Sequence, residues 1–448
     1  MTVDKSRILR PSVTSSHLSR RRMLQGAAAL GIAAPLARHT GIVGAQEATP
    51  VGGDQEGTLT VWSLTGAGLN EELPQTAAAR LTEAYPNVEM DLQALQNDPF
   101  KTKLRTSLGS DNPPDVWHSW GGGVLGEYAK EGVVLDLTEA LNQDGWKDRF
   151  IPGLLDIMKV DDSYYGVPIV ANTVVFWYNA ELLGDISAPA TWDEFIQLVK
   201  DVKSDGLVPI TLANQTKWPG AFYLNYLVLR INGPDFLDRV LAGEASFDDP
   251  GVVRAGEMIQ ELVDAGAFPE GFNGLDIDTG GSRKLLYAEQ AAMELMGTWL
   301  PGTIDSEIDD FSQNLSFFSF PQVEGGEGDP SSLLGGVSPA YAVSQQTEIP
   351  EVAIQFLREI TNDASRDLVV DAGRLAALKG ATYDTETANQ LATALEEAAT
   401  VQLFWDQFFP PALGQAQLDV SQGLLSKSIT PQEGAAQLEE AAASVREG

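Results

Sequence analysis

Val88-Glu89-Met90-Asp91-Leu92-Gln93-Ala94 sets an apolar side chain at every second position, the period of a strand with one face on a core. Upstream, Leu59 and Val61 mark an earlier strand that ends near Ser63. The helix containing Ala77-Ala78-Ala79-Arg80-Leu81 lies between the two and stops at Tyr85-Pro86, because the residue before a proline is pushed out of the helical region. Downstream, Phe100 to Leu108 reads as a helix and Pro114-Asp115-Val116-Trp117 opens a third strand. Strands alternating with amphipathic helices predict an α/β fold, with a mostly parallel sheet covered on both faces. A second cycle follows Tyr164-Tyr165-Gly166-Val167-Pro168: strands over 173–179 and 208–213, helices over 192–203 and 252–265. Two α/β lobes are therefore expected. Ala291 to Met296 reads as a further short strand, and the chain after Pro350 as almost entirely helical.

In open α/β sheets ligands collect beyond the carboxyl ends of the strands. Those ends run into Ser63-Leu64-Thr65-Gly66, Gln96-Asn97-Asp98 and Ser119-Trp120-Gly121-Gly122-Gly123. Hydroxyls, amides, a carboxylate and an indole converge there without a cluster of positive charge. Such a set suits a neutral polyhydroxylated molecule, because amides and carboxylates bond hydroxyls and indole faces cover C–H surfaces.

The 448 residues hold 63 Asp+Glu against 29 Lys+Arg, an excess that works against nucleic acid or an anionic membrane as partner. With no cysteine, disulfides, thiolate metal sites and Cys nucleophiles are excluded. Of three histidines only His118 lies beyond residue 45, too few for a multi-His metal site or a His-centred triad. No metal and no cofactor is expected. Ser19-Arg20-Arg21-Arg22-Met23-Leu24-Gln25 resembles a twin-arginine export signature. The apolar run Gly26 to Ala37 is too short to span a bilayer, and Val43-Gly44-Ala45 offers a small-x-small cleavage site. Residues 1–45 therefore read as a signal peptide and 46–56 as a flexible spacer. Cleavage would remove seven of the 29 basic and one of the 63 acidic residues, leaving 22 against 62, a net charge of −40. A periplasmic or cell-surface protein without a lipid-anchor cysteine is expected.

Gly121-Gly122-Gly123-Val124-Leu125-Gly126 satisfies G-x-G-x-x-G, but the dinucleotide fingerprint belongs after the first strand of a βαβ unit, and this run follows the third. It reads as a tight turn that lets a ligand approach the backbone. Asp276-Ile277-Asp278-Thr279-Gly280-Gly281 lacks the bidentate Glu a calcium loop requires, Tyr287 standing at that position, so it reads as an acidic loop. Among nine tryptophans, Trp120, Trp218 and Trp299 sit beside turn-forming residues and are assigned to stacking. Trp62, Trp177 and Trp192 lie in strand or helix patterns and are assigned to the core.

These residues together resemble the family 1 extracellular solute-binding proteins of carbohydrate importers, the maltose, raffinose and multiple-sugar type. The resemblance is carried by Leu59-Thr60-Val61-Trp62, Asn97-Asp98 before Lys101-Thr102-Lys103-Leu104, Pro113-Pro114-Asp115-Val116 and Tyr165-Gly166-Val167-Pro168. It continues through Trp177-Tyr178-Asn179, Thr191-Trp192-Asp193-Glu194-Phe195, Lys217-Trp218-Pro219-Gly220, Met296-Gly297-Thr298-Trp299 and Gly335-Gly336-Val337. It implies a two-lobe periplasmic-binding-protein-like fold closing on a sugar, with three hinge crossings expected near Pro168, Ala292 and Ser344. The expected lobes are 57–168 plus 293–344, and 169–292 plus 345–448. The implied sugar contacts are Asn97, Asp98, Ser119, Trp120, Asn172, Trp218 and Trp299, with the Gly335-Gly336 backbone, Arg374 and Asp406 as further members. The implied protein is a monomeric, non-enzymatic receptor that delivers sugar to the membrane permease of an ATP-driven importer. A secreted carbohydrate-active enzyme and a receptor for a non-sugar solute are the alternatives.

Overall fold

The computed structural model describes residues 53–65, 68–184 and 186–447. The expected signal peptide, residues 1–45, and most of the spacer lie outside the described residues. Among the described residues no helix is long and apolar enough to cross a membrane.

Two sheets organise the chain. In the first, the strands Val88–Leu95, Gly57–Leu64 and Val116–Ser119 run parallel, with Gly57 opposite Val88, Leu64 opposite Leu95 and Val61 opposite Val116. Ala340–Val343 and Val167–Pro168 extend this sheet with an antiparallel partner pair. The helices Leu69–Ala84 and Pro350–Ile360 pack against each other over it, and Leu59, Leu73, Leu81, Phe356 and Leu357 bury completely in their shared core.

The second sheet is centred on the long strand Val170–Asn179. Its amino half pairs with Leu333–Val337 and Leu375–Ala376, its carboxyl half with Ala291–Gly297 and Leu315–Phe318. All four pairings are antiparallel. The parallel partners are peripheral, Val208–Ile210 on Ala291–Gly297 and Val401–Leu403 on Leu333–Val337. Both sheets are thus mixed, where strand–helix alternation had suggested a mostly parallel arrangement. Nine of the ten residues of Val170–Asn179 are buried, which is why that strand shows no polar alternation. Beside it the helix Trp218–Asn232 buries nearly its whole circumference, as a helix apolar all round must.

The expected lobe boundaries need correction. Residues 293–338 belong to the second sheet rather than the first lobe, since Ala291–Gly297, Leu315–Phe318 and Leu333–Val337 all pair directly or edge-on with Val170–Asn179. Conversely, the helices Pro350–Ile360 and Asp363–Asp371 pack on Leu69–Ala84 and belong to the first lobe. The first crossing falls at Ile169, between Val167–Pro168 and Val170–Asn179, as expected near Pro168. The second lies at Ser338-Pro339 rather than Ser344. No crossing exists at Ala292; the third runs between Asp371 and Glu386, where Leu375 pairs with Ala171 and Leu378 bridges to Phe150. After Pro350 the regular elements are helices apart from Leu375–Ala376 and Val401–Leu403, with a non-helical stretch over 372–385.

Candidate functional site

The first-sheet register brings the ends of its parallel strands side by side, and each delivers side chains into one space between the lobes. Leu64 and Thr65 end one strand, Gln96 and Asn97 follow the next, and Trp120 follows the third; all line a cavity of about 780 Å³. Asn97 is also the first residue of the helix Asn97–Leu108. One turn later the i,i+4 position places Lys101 on the same wall.

The second lobe supplies an aromatic wall. Trp218 opens the helix Trp218–Asn232, with Pro219 in the first turn where its missing N–H costs nothing. Trp299 follows the strand Ala291–Gly297, and its six-membered ring folds back onto Gly297 so closely that any Cβ there would overlap it. Gly297 is thus required by the indole. Trp218 and Trp299 have ring centroids 6.2 Å apart at 58°, Trp299 and Phe404 6.3 Å apart at 75°, within the range of favourable aromatic pairs. Both indoles are half-buried and both line the cavity.

An ion pair joins the lobes: Lys101 Nζ donates to Asp406 Oδ2 at 2.9 Å. The same ammonium stands 5.1 Å from the centre of the Trp120 ring. Lys101, Trp120, Trp218, Asp406 and Gln407 form a partition between the main cavity and a side chamber of about 450 Å³. Asp98 and Ser119 line that side chamber rather than the main cavity. Burial pushes the Asp98 carboxyl up, opposed by Lys101 and reinforced by Asp406 and Asp276. Asp278, on the acidic loop that reaches the cavity wall, is raised by burial and then by Asp276 and Asp98. His118 is fully buried, held down to about 3 by burial and by Lys101, so it is neutral and packs against Trp120 at 4.5 Å between ring centres.

Of the expected contacts, Asn97, Trp120, Trp218, Trp299, Arg374 and Asp406 line the main cavity. Asn172, Gly335 and Gly336 do not, and these three are corrected to the hinge. The Asn172 amide donates to the Ser338 carbonyl at 2.7 Å and accepts from Arg374 Nη2 at 2.7 Å, so one side chain ties all three crossings together. Gly335 and Gly336 lie opposite Thr173 and Asn172; a Cβ on Gly336 would stand 2.7 Å from Leu403, and one on Gly335 would collide with the Asn172 carbonyl. Their lack of side chains serves packing. The glycine run at 121–123 is likewise occupied by protein: a Cβ at Gly122 would stand 2.5 Å from the Gln407 carbonyl oxygen. It lets the lobes' backbones touch, not a ligand.

Sequence reasoning did not assign Lys101, Phe404, Asp278 or Gln407 to the site. Lys101 was accessible from the helical spacing to Asn97. The others become neighbours of the cleft only through long-range packing.

The family model for bacterial extracellular solute-binding proteins matches residues 66–367. An uncharacterised ABC transporter extracellular-binding protein of Pyrococcus horikoshii is 26% identical over 308 residues, 67% of this chain and 68% of that protein. The multiple sugar-binding protein of Streptococcus mutans is 24% identical over 308 residues, 66% of this chain and 70% of that protein. A structure solved in work on xylan utilization by the thermophilic bacterium Caldanaerobius polysaccharolyticus superposes with a TM-score of 0.80 at 29% identity, covering 86% of this chain and 99% of the other. A chitin oligosaccharide binding protein gives 0.80 at 24% identity, covering 88% and 100%, a likeness of fold.

Proposed function

Since the chain belongs to the bacterial extracellular solute-binding proteins, we propose that it is the sugar-capturing component of an ATP-driven importer, closing two lobes on a mono- or oligosaccharide and handing it to the membrane permease. The observation that carries this reading is the interlobe cavity of about 780 Å³ walled by four indoles, those of Trp120, Trp177, Trp218 and Trp299. Flat aromatic faces cover the C–H surfaces of a sugar ring, while Gln96, Asn97 and Asp406 offer partners to its hydroxyls. Two polar atoms on that wall, Asn97 Oδ1 and Trp218 Nε1, have no hydrogen-bond partner within the protein. The chain binds and releases its sugar without changing it, and acts as a monomer.

A thermal-shift and calorimetric screen of neutral and acidic mono- and oligosaccharides tests this reading, because a ligand at 100 times its Kd adds about 2.7 kcal/mol of stability. Absence of a shift with every sugar would overturn it. Recovery of the sugars unchanged after prolonged incubation separates a receptor from a secreted carbohydrate-active enzyme. The route outward is the twin-arginine one, on the strength of Ser19 to Gln25. Replacing Arg20 and Arg21 by Lys should hold the precursor inside the cell, and undiminished export would remove that part of the proposal.

A further inference from the structure

Three cations line the main cavity: Lys101, Arg283 and Arg374. Two have acidic partners, Lys101 in Asp406 and Arg283 in Glu307. Arg374 has none. Its side chain leaves only 8% of the residue exposed, and no carboxylate among the described residues stands within 4.0 Å of its guanidinium. Nη2 donates to Asn172 Oδ1 at 2.7 Å, while the buried Nε has no partner in the protein. Burial alone pulls its pKa down to about 10, so the group is a cation at neutral pH. An unpaired cation inside a protein is held against its loss of hydration unless something completes it. A guanidinium presents a planar fork of donors matched to a carboxylate.

The backbone around the cavity favours the same sign of ligand charge. Four helices of twelve or more residues begin on its wall, Leu69–Ala84, Asn97–Leu108, Trp218–Asn232 and Glu386–Glu397. The amino end of a helix carries the partially positive end of its dipole. Four carboxylates stand on that wall. Asp406 holds Lys101, Asp305 accepts from the Ser312 amide at 2.9 Å, Asp371 is exposed to solvent, and burial pushes the Asp278 carboxyl up. The net negative charge of the chain acts at long range, where salt screens it beyond about 8 Å; a contact pair is not screened in that way.

We propose that the hinge end of the cleft is a carboxylate site built on Arg374, and that the captured ligand is an acidic sugar, a uronic acid or an oligosaccharide bearing one. This rests on the sugar-binding reading above and narrows it. Because Arg374 also holds Asn172, which binds the Ser338 carbonyl, a carboxylate on the guanidinium reports directly to all three crossings. Arg374 is then a specificity-determining residue and a link between occupancy and hinge.

Calorimetric titration of the full exported chain with matched pairs decides the matter: glucose and glucuronate, galactose and galacturonate, xylotriose and the same trisaccharide bearing a glucuronosyl branch. The acidic member of the favoured pair should bind about tenfold or more tightly than its neutral partner at low salt, and raising salt should shrink that advantage. Arg374→Gln should bring the two within about threefold of each other, and Arg374→Lys should keep part of the preference by retaining the charge without the fork. A neutral member that binds as well as or better than its acidic partner overturns the carboxylate site and leaves the sugar reading standing. If no member of any pair binds, both fall. If Arg374→Gln lowers the melting temperature and leaves the acidic-to-neutral ratio unchanged, Arg374 is a hinge strut and the assignment is overturned. The wild-type comparison needs no variant, so a poorly folding Arg374→Gln does not protect the idea.

Discussion

At the scale of single residues, Trp299 separates binding from packing. Its ring lies against Gly297, faces Trp218 and Phe404, and remains half-exposed to the cavity. Trp299→Ala should weaken sugar binding about tenfold or more, as truncation of a central aromatic anchor does. Far-UV circular dichroism should not change. A residue whose main role is core packing would instead cost about 3–5 kcal/mol of stability, so wild-type affinity with a collapsed melting temperature would sink the stacking role. Glu294 is the opposite kind of residue, fully buried in the strand Ala291–Gly297 and away from the cavity wall. Ser282 Oγ donates to its Oε1 at 2.6 Å, and Oε2 has no partner. Burial raises its pKa from 4.5 to about 7. Between those values the native chain holds a proton that the unfolded chain has released, so its contribution to stability falls as pH rises from 4.5 through 7. Glu294→Gln keeps an acceptor for Ser282 and removes the titration. Melting curves from pH 5 to 8 should be flatter for the variant, which should also be the more stable chain above pH 7; parallel slopes would refute the assignment.

At the scale of elements, the helix Gly122–Lys130 offers a paired test of why glycine stands where it does. Gly122 has φ +67° and lies against the Gln407 backbone of the other lobe. Gly126, one turn on, has nothing within 4 Å of where its Cβ would be. Gly122→Ala should therefore destabilise by about 1–3 kcal/mol through backbone strain and collision. Gly126→Ala should stabilise by about 0.4–1 kcal/mol, because alanine narrows the unfolded ensemble and fits the helix. Denaturant melts of the two variants should move in opposite directions; a shift of the same sign would show that the close approach at Gly122 does not matter.

At the scale of the molecule, the chain crosses between two separately packed sheets at Ile169, at Ser338-Pro339 and in the longer run 372–385. Such an architecture permits hinge motion about a few residues. Asn172 holds the crossings in register, and Lys101 with Asp406 links the lobes at the partition between the two cavities. Sugar binding should lower the radius of gyration in X-ray scattering as the lobes close. Tight binding with an unchanged scattering profile would favour a preformed cleft. Asp406→Asn is a useful companion, since loss of the half-buried ion pair should alter the ligand-free profile more than the liganded one.

Periodicity in the sequence determined the elements of the first 65 described residues closely: the strands at 57–64, 88–95 and 116–119 and the intervening helices lie where alternation and the Tyr85-Pro86 stop place them. It also singled out Trp120, Trp218 and Trp299, because an aromatic beside turn-forming residues at a strand or helix end has a local signature. The partner a strand chooses has no such signature. Ala291–Gly297 reads as a strand from its own residues, yet only tertiary pairing puts it beside Val170–Asn179 and moves residues 293–338 into the second lobe. For the same reason Asn172, Gly335 and Gly336 were legible as special but not as hinge and packing residues. The ion pair that links the lobes joins positions 305 residues apart. Side-chain period is a property of neighbours along the chain, whereas pairing, burial of Arg374 and closure of the cleft depend on which distant surfaces meet, and the folded structure alone decides that.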